Sequence, residues 1–387
     1  MQPSERAKPT SVQPALATVF LVASSLAFVA GAGAAEPPAL KELMPKGMTI
    51  GAALSQRQSD GKDGAAARIV TRHFNSATAE NVLKWEKIHP EPNRYDFAPA
   101  DRYVAFAEKR GMEVIGHTLV WHSQTPAWVF AGKDGAPLDR ETALERMREH
   151  IGTVVGRYKG RIKGWDVVNE AIDDGAEGTM RKSKWREAIG DDYIAKAFEY
   201  AHQADPAAEL YYNDYNLTSA PKRAAALRIA NGLKRWGIRV DGVGEQGHWL
   251  IDGPSLADIE ATITDIAAAG FKVLITELDV DVLPRDPGMY GADLEKKAKF
   301  RAETNLYPDG LPKEKQDQLA RRYADIFGLF LKHRDEVARV TLWGVTDAQS
   351  WLSNFPVPGR VNHPLLFDRQ GKPKPAFDAV VEVLKKK

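Results

Sequence analysis

The run Ile162-Lys163-Gly164-Trp165-Asp166-Val167-Val168-Asn169 reads as a strand that passes from apolar residues into Asn169, with Glu170 directly after it. An amphipathic, charged stretch of helical length follows, and the same unit recurs along the chain. Strands are expected over 49–53, 73–77, 113–118, 162–169, 209–213, 242–246, 272–277 and 340–343. Eight strands alternating with helices predict an α/β chain folded as a (β/α)8 TIM barrel. Parallel strands need crossover helices, and eight of them close with no edge left over. A doubly wound open sheet normally carries a phosphate-binding turn, and no G-x-G-x-x-G or G-x-x-x-x-G-K-[ST] follows any of these strands.

The segment 283–318, rich in Pro, Gly and charge, is expected as a loop at the barrel mouth and not as a second domain. One catalytic domain over 36–387 is therefore predicted, with no appended module after Phe377. Residues 1–35 read as a secretory signal: Arg6 and Lys8, an apolar stretch over 15–30, then small residues with Ala32 and Ala34 in an A-x-A pattern. The apolar stretch is too short to span a bilayer, so a secreted or periplasmic protein without a membrane anchor is expected.

Lys and Arg (53) nearly cancel Asp and Glu (52), so no broad positive field exists to attract nucleic acid, which is not an expected partner. Without a single Cys there is no disulfide, thiolate metal site or Cys nucleophile. Catalysis falls to oxygen and nitrogen side chains. His117 and His122 are five apart, which is not the spacing of a zinc helix, and G-x-S-x-G does not occur. No metal or cofactor is expected.

Polar and aromatic residues gather at the C-terminal ends of the strands. Glu80 and Lys84 follow the second, His117, Trp121 and Gln124 the third, Asn169 and Glu170 the fourth, and Asn213 and Asp214 close the fifth. Gln246 and His248 follow the sixth, Glu277 and Asp279 the seventh, and Trp343 the eighth. A barrel turns all these ends toward one mouth, where such folds place their sites. Carboxylates, amides and Trp rings with few cations suit a sugar, whose C–H faces stack on indoles and whose hydroxyls need paired donors and acceptors. Any one Trp taken alone reads as core, but polar neighbours favour the mouth for Trp121, Trp343 and Trp351.

Cleaving a glycosidic bond takes a carboxylic acid to protonate the leaving oxygen and a second carboxylate as nucleophile or base. Glu170 and Glu277 are the expected pair, and the charge of Glu277 is expected to raise the pKa of Glu170. Period-two geometry puts Asp279 beside Glu277, with His248 as a bridge between them. Glu80 and Lys84 have the spacing of a helix salt bridge, and Thr78 is expected to cap that helix at the mouth.

Seven ordered motifs carry a resemblance: Phe74-Asn75-Ser76-Ala77-Thr78-Ala79-Glu80-Asn81 with Lys84-Trp85, Gly116-His117-Thr118-Leu119-Val120-Trp121-His122-Ser123-Gln124, Trp165-Asp166-Val167-Val168-Asn169-Glu170, Asn213-Asp214-Tyr215-Asn216, Gln246-Gly247-His248, Ile275-Thr276-Glu277-Leu278-Asp279 and Trp343-Gly344-Val345-Thr346-Asp347. Over about 40–385 the chain resembles glycoside hydrolase family ten, the endo-β-1,4-xylanases. The resemblance implies retaining hydrolysis of xylan and xylo-oligosaccharides by a monomer, with Glu170 as acid/base, Glu277 as nucleophile and Asn169 on the sugar 2-hydroxyl. It also implies Glu80, Asn81 and Lys84 on the glycone side, His117, Trp121, Gln124, Asn213 and Trp343 around the sugars, and Trp351 closing over them. Gln246, His248 and Asp279 would orient Glu277. Glu245, beside Gln246, has no role assigned by the resemblance. A related barrel glycosidase acting on cellulose or mannan and a silent sugar-binding barrel are the alternatives.

Overall fold

The barrel strands are buried on both faces, which is why apolar residues run on without alternation in stretches such as Leu119-Val120-Trp121, Val167-Val168 and Val273-Leu274-Ile275. In the computed structural model they are β1 (Thr49–Leu54), β2 (Ser76–Ala79), β3 (Glu113–Trp121), β4 (Gly164–Asn169), β5 (Glu209–Asp214), β6 (Gly242–Glu245), β7 (His248–Leu250), β8 (Lys272–Asp281) and β9 (Val337–Leu342). The structure describes residue 9 and residues 38–386, apart from 133–135, 137, 176 and 285–296. The expected signal over 1–35 lies, but for residue 9, outside the described residues. The chain divides into Met1–Pro37 and Pro38–Lys387, and the barrel is the second unit.

All strands but β7 form one closed parallel ring. β1 pairs with both β2 and β9, and β6 pairs with β8 to complete it. The short β7 adds outside the ring against the far end of β8, with His248 opposite Asp279. Helices return the chain between strands, and their sequences show why. Asp63 caps Gly64–His73 through the Ala66 amide, and that helix buries Ala66, Ile69, Val70 and His73 at helical spacing. Lys313–Lys332 likewise lays Leu319, Tyr323, Ile326, Phe327 and Phe330 on the barrel. Among the described residues no helix is long and apolar enough to cross a membrane.

Several sequence boundaries move. The second strand begins at Ser76 and not at 73, because His73 ends the preceding helix with its ring packed on Phe367 and Phe377. Thr78 lies inside β2, where Ala53 of β1 is its partner, so it caps no helix; Trp85–Ile88 starts only after Lys84. A G-x-G-x-x-G spelling does occur at Gly242–Gly247, but it forms β6 and its exit and not a strand-to-helix turn. Part of 283–318, residues 285–296, lies outside the described residues, and the return helix already starts at Lys313. What is described binds the loop after β9: Asn305 accepts from the Val361 amide at 2.8 Å, and Tyr307 O lies 2.9 Å from His363 Nε2.

Two Trp residues near strand ends belong to the core. Trp165 lies flat across β3, where a Cβ on Gly116 would sit 2.1 Å from its ring, so only glycine fits there. Trp85 stacks on His150 at 3.6 Å between ring centres. The pairing register shifts between His117 and Val120, between Asp166 and Val168, and between Ile275 and Leu278. Such irregularities re-aim side chains, and these three border the mouth, whereas a fourth, between Val273 and Leu274, lies near the start of β8.

Candidate active site

Glu170 is the first residue past β4. Its amide still bonds Asn213 O on β5 at 2.9 Å, while its own φ of 58° turns the chain out of the sheet. Trp121 Nε1 donates to Oε2 at 2.6 Å and Gln246 Nε2 to Oε1 at 2.8 Å. Burial pushes this carboxyl up more than any other influence, and the charge of Glu277 adds to it against those two donors. The shift has the direction expected from sequence, but its leading cause is desolvation and not like charge.

Glu277 sits within β8 beside the register shift, its amide held by Gln246 O at 2.7 Å. Burial would raise it too, yet the hydrogen bond from His248 and the charges of His117, His248 and Lys84 outweigh burial and leave it below the usual carboxylate range. His248 spans the gap between Glu277 Oε2 (3.2 Å) and Asp279 Oδ1 (3.0 Å). Burial works against its charge, but the two carboxylates raise it to about 10, so both ring nitrogens donate at neutral pH. Two carboxyl groups at one mouth are thus driven apart: one favours its proton and the other its charge.

The remaining expected residues gather around this pair. Asn213 is fully buried; its amide nitrogen donates to Asn169 Oδ1 and Glu277 Oε1, both at 2.9 Å, and its oxygen accepts from Thr276 at 2.7 Å. Its hydrogen bonds are spent inside the protein, so it positions Glu277. Asn169 Oδ1 also accepts from Gln246 at 3.4 Å, which turns its NH2 group to other partners. Lys84 Nζ donates to Asn81 Oδ1 (3.0 Å) and Gln124 Oε1 (2.8 Å) and lies 4.9 Å from the centre of the Trp121 ring. Burial lowers Lys84 against the pull of Glu277, Glu80 and Glu170, and burial raises Glu80. Trp343 meets His117 and His248 edge-on at 5.3 and 6.2 Å. Trp351 stands 4.7 Å from the His248 ring and donates its indole N–H to Asp279 Oδ2 at 2.7 Å.

Other residues enter that sequence reading did not single out. Asp166 holds His117 Nδ1 at 2.9 Å, Glu86 accepts from Gln124 at 3.3 Å, and Arg181 donates to the backbone oxygen of Glu170 at 3.0 Å. The place of Asp166 between Trp165 and the strand end was a usable signal; Arg181, out in a loop, offered none. Glu245 gains a role: it accepts from the amides of Leu217 and Gly247 and from Trp249 Nε1, clamping the exits of β5 and β6. Burial pushes it up to about 7.

A family model described as glycosyl hydrolase family 10 matches residues 39–383. The chain is 45% identical over 346 residues to endo-1,4-beta-xylanase A of Xylanibacter ruminicola, covering 89% of this chain and 93% of that one. It is 42% identical over 348 residues to endo-1,4-beta-xylanase B of Paenibacillus barcinonensis, covering 89% and 98%. Among solved structures, a family 10 endoxylanase retrieved from sugarcane soil metagenome superposes with a TM-score of 0.84 at 43% identity, covering 89% of this chain and 99% of that one. A mutant structure in complex with xylotriose gives 0.80 at 40% identity, covering 89% and 99%.

Proposed function

The chain belongs to glycosyl hydrolase family 10, and we propose that it cleaves internal β-1,4-xylosidic bonds of xylan with retention, using Glu277 and Glu170. The opposed pKa shifts of these two carboxyls at one mouth carry the residue assignment. Ionised Glu277 attacks the anomeric carbon while Glu170 gives its proton to the departing glycosidic oxygen, leaving a glycosyl ester on Glu277. Esterification removes the negative charge that helped hold the proton on Glu170. The carboxylate of Glu170 then takes a proton from water, whose oxygen attacks the same carbon and frees Glu277. The acid is thereby restored.

His248, charged and donating to Oε2, and Asn213, donating to Oε1, fix the nucleophile in its ionised form. Because Asn169 receives both its internal bonds on Oδ1, its NH2 group is turned to donate to the sugar 2-hydroxyl. Glu80, Asn81 and Lys84 grip hydroxyls of the neighbouring sugar. The xylanase names of the relatives and the xylotriose held by a structural neighbour support xylan as the polymer. The site is assembled within one chain, in keeping with a monomer, and the signal-like residues 1–35 support export.

Proton NMR of early products tests the chemistry: the β-anomer should appear first, and an α-anomer first would remove Glu277 as nucleophile. Comparing dyed xylan, carboxymethylcellulose and mannan tests the substrate. Sequencing the N-terminus of the exported protein tests cleavage near Ala35.

A further inference from the structure

Arg181 binds three successive carbonyls immediately after β4. Its Nε donates to Glu170 O at 3.0 Å, its main-chain N–H to Ala171 O at 2.7 Å, and one terminal guanidinium nitrogen to Ile172 O at 2.8 Å. That same nitrogen donates to Tyr215 Oη at 3.0 Å, and the other lies 3.4 Å from Asp174, which also accepts from the Tyr215 hydroxyl. The side chain is largely buried. What it secures needs securing: Glu170 has a φ of 58°, in the left-handed region that residues with a Cβ rarely adopt, and past Glu170 the sheet no longer holds the chain. A planar fork can bond several oxygens in fixed directions, whereas an ammonium is a single point on a flexible stem.

We infer that Arg181 is a positioning residue for acid/base catalysis: it locks the left-handed backbone of Glu170, so its loss impairs protonation of the leaving group ahead of attack by Glu277. The inference rests on the assignment of Glu170 as the acid/base. The guanidinium charge also favours ionised Glu170 and partly offsets burial. The other charged groups facing that carboxyl are Glu277 on β8, Lys84 before Trp85–Ile88, and Asp214 on β5 with its partner Lys222.

The test compares Arg181→Met, Arg181→Lys and Glu170→Ala on phenyl xylobioside, whose poor leaving group needs a proton, and on dinitrophenyl xylobioside, whose good one does not. Both Arg181 variants should lose roughly 10–100-fold in kcat/KM on the phenyl substrate and no more than about threefold on the dinitrophenyl one. In Arg181→Met the basic limb of the pH profile should move to higher pH, because a charge favouring ionised Glu170 is gone. Arg181→Lys keeps the charge, so its basic limb should move less while the leaving-group penalty persists. Equal losses on both substrates with an unmoved basic limb, in whichever variant folds, would overturn the inference and leave Arg181 a general fold contact. If Glu170→Ala itself shows no leaving-group dependence, the assignment of Glu170 fails first; if it does and the Arg181 variants do not, only the role of Arg181 falls.

Discussion

The indole N–H of Trp121 points at Oε2 of Glu170 from 2.6 Å, while Gln246 holds the other oxygen. A donor aimed at a carboxyl favours its charged form, so these bonds work against burial and keep the acid able to release its proton. Trp121→Phe keeps the ring and removes the donor. The basic limb of kcat/KM should therefore shift to higher pH, with a loss of roughly tenfold at the optimum from one hydrogen bond to a charged group. A pH profile that superposes on that of the wild type would break the link between Trp121 and the acid.

His248 has the converse effect on Glu277. Removing it in His248→Asn lets the nucleophile's pKa rise, so the acid limb should move to higher pH and kcat/KM should drop roughly 10–100-fold. The same residue links stability to pH. Its pKa is raised on folding to about 10 from 6.5, so its contribution is complete below about pH 6.5 and is lost as pH climbs through 10. Urea unfolding should show wild-type stability declining over that window and His248→Asn lacking the decline.

Xylose is glucose without a hydroxymethyl arm, so rigid rings filling that space select it. Trp351, pinned to Asp279 and stacked on Phe355 at 5.3 Å, has the rigidity such a wall needs. Trp351→Ala should narrow the kcat/KM ratio of aryl xylobioside over aryl cellobioside by about 10–200-fold. Glu80→Ala, which affects hydroxyls common to both sugars, should weaken both substrates together. An unchanged ratio in Trp351→Ala would refute the steric account.

Glu245→Ala would leave the amides of Leu217 and Gly247 and the Trp249 indole without their acceptor. A loss of roughly 2–4 kcal/mol in urea unfolding is expected. Because burial raises this carboxyl from 4.5 to about 7, its contribution is greatest below pH 4.5 and falls as pH rises through 7. The variant should lose that slope along with the stability.

Much of the catalytic arrangement was legible because it sits where strands end. Glu170 follows β4 directly, Glu277 closes the run 273–276 although β8 itself continues to Asp281, and strand parity puts Asp279 on the side of Glu277. A resemblance does not say which way an amide faces, and Asn213 shows the result: implied as a residue around the sugars, it faces inward onto Asn169, Glu277 and Thr276. Spacing also misled at Glu80 and Lys84. Their separation of four suggested one helix face, but Glu80 follows the end of β2 and Lys84 precedes Trp85–Ile88, so the two share no helix and interact by charge across a turn. Arg181 was invisible because what it grips beside the site are the backbone oxygens of Glu170 and Ile172, and every residue possesses one.

β1 and β9 lie side by side, and every barrel strand runs toward the mouth. The segment entering β1 therefore arrives at the opposite face, and the helix Pro375–Leu384, returning after β9, ends there as well. Both ends of the barrel are handles on its base. A resin, a cell surface or a second protein tethered at either end would hold the molecule with its mouth facing outward, leaving room for an insoluble polymer to approach.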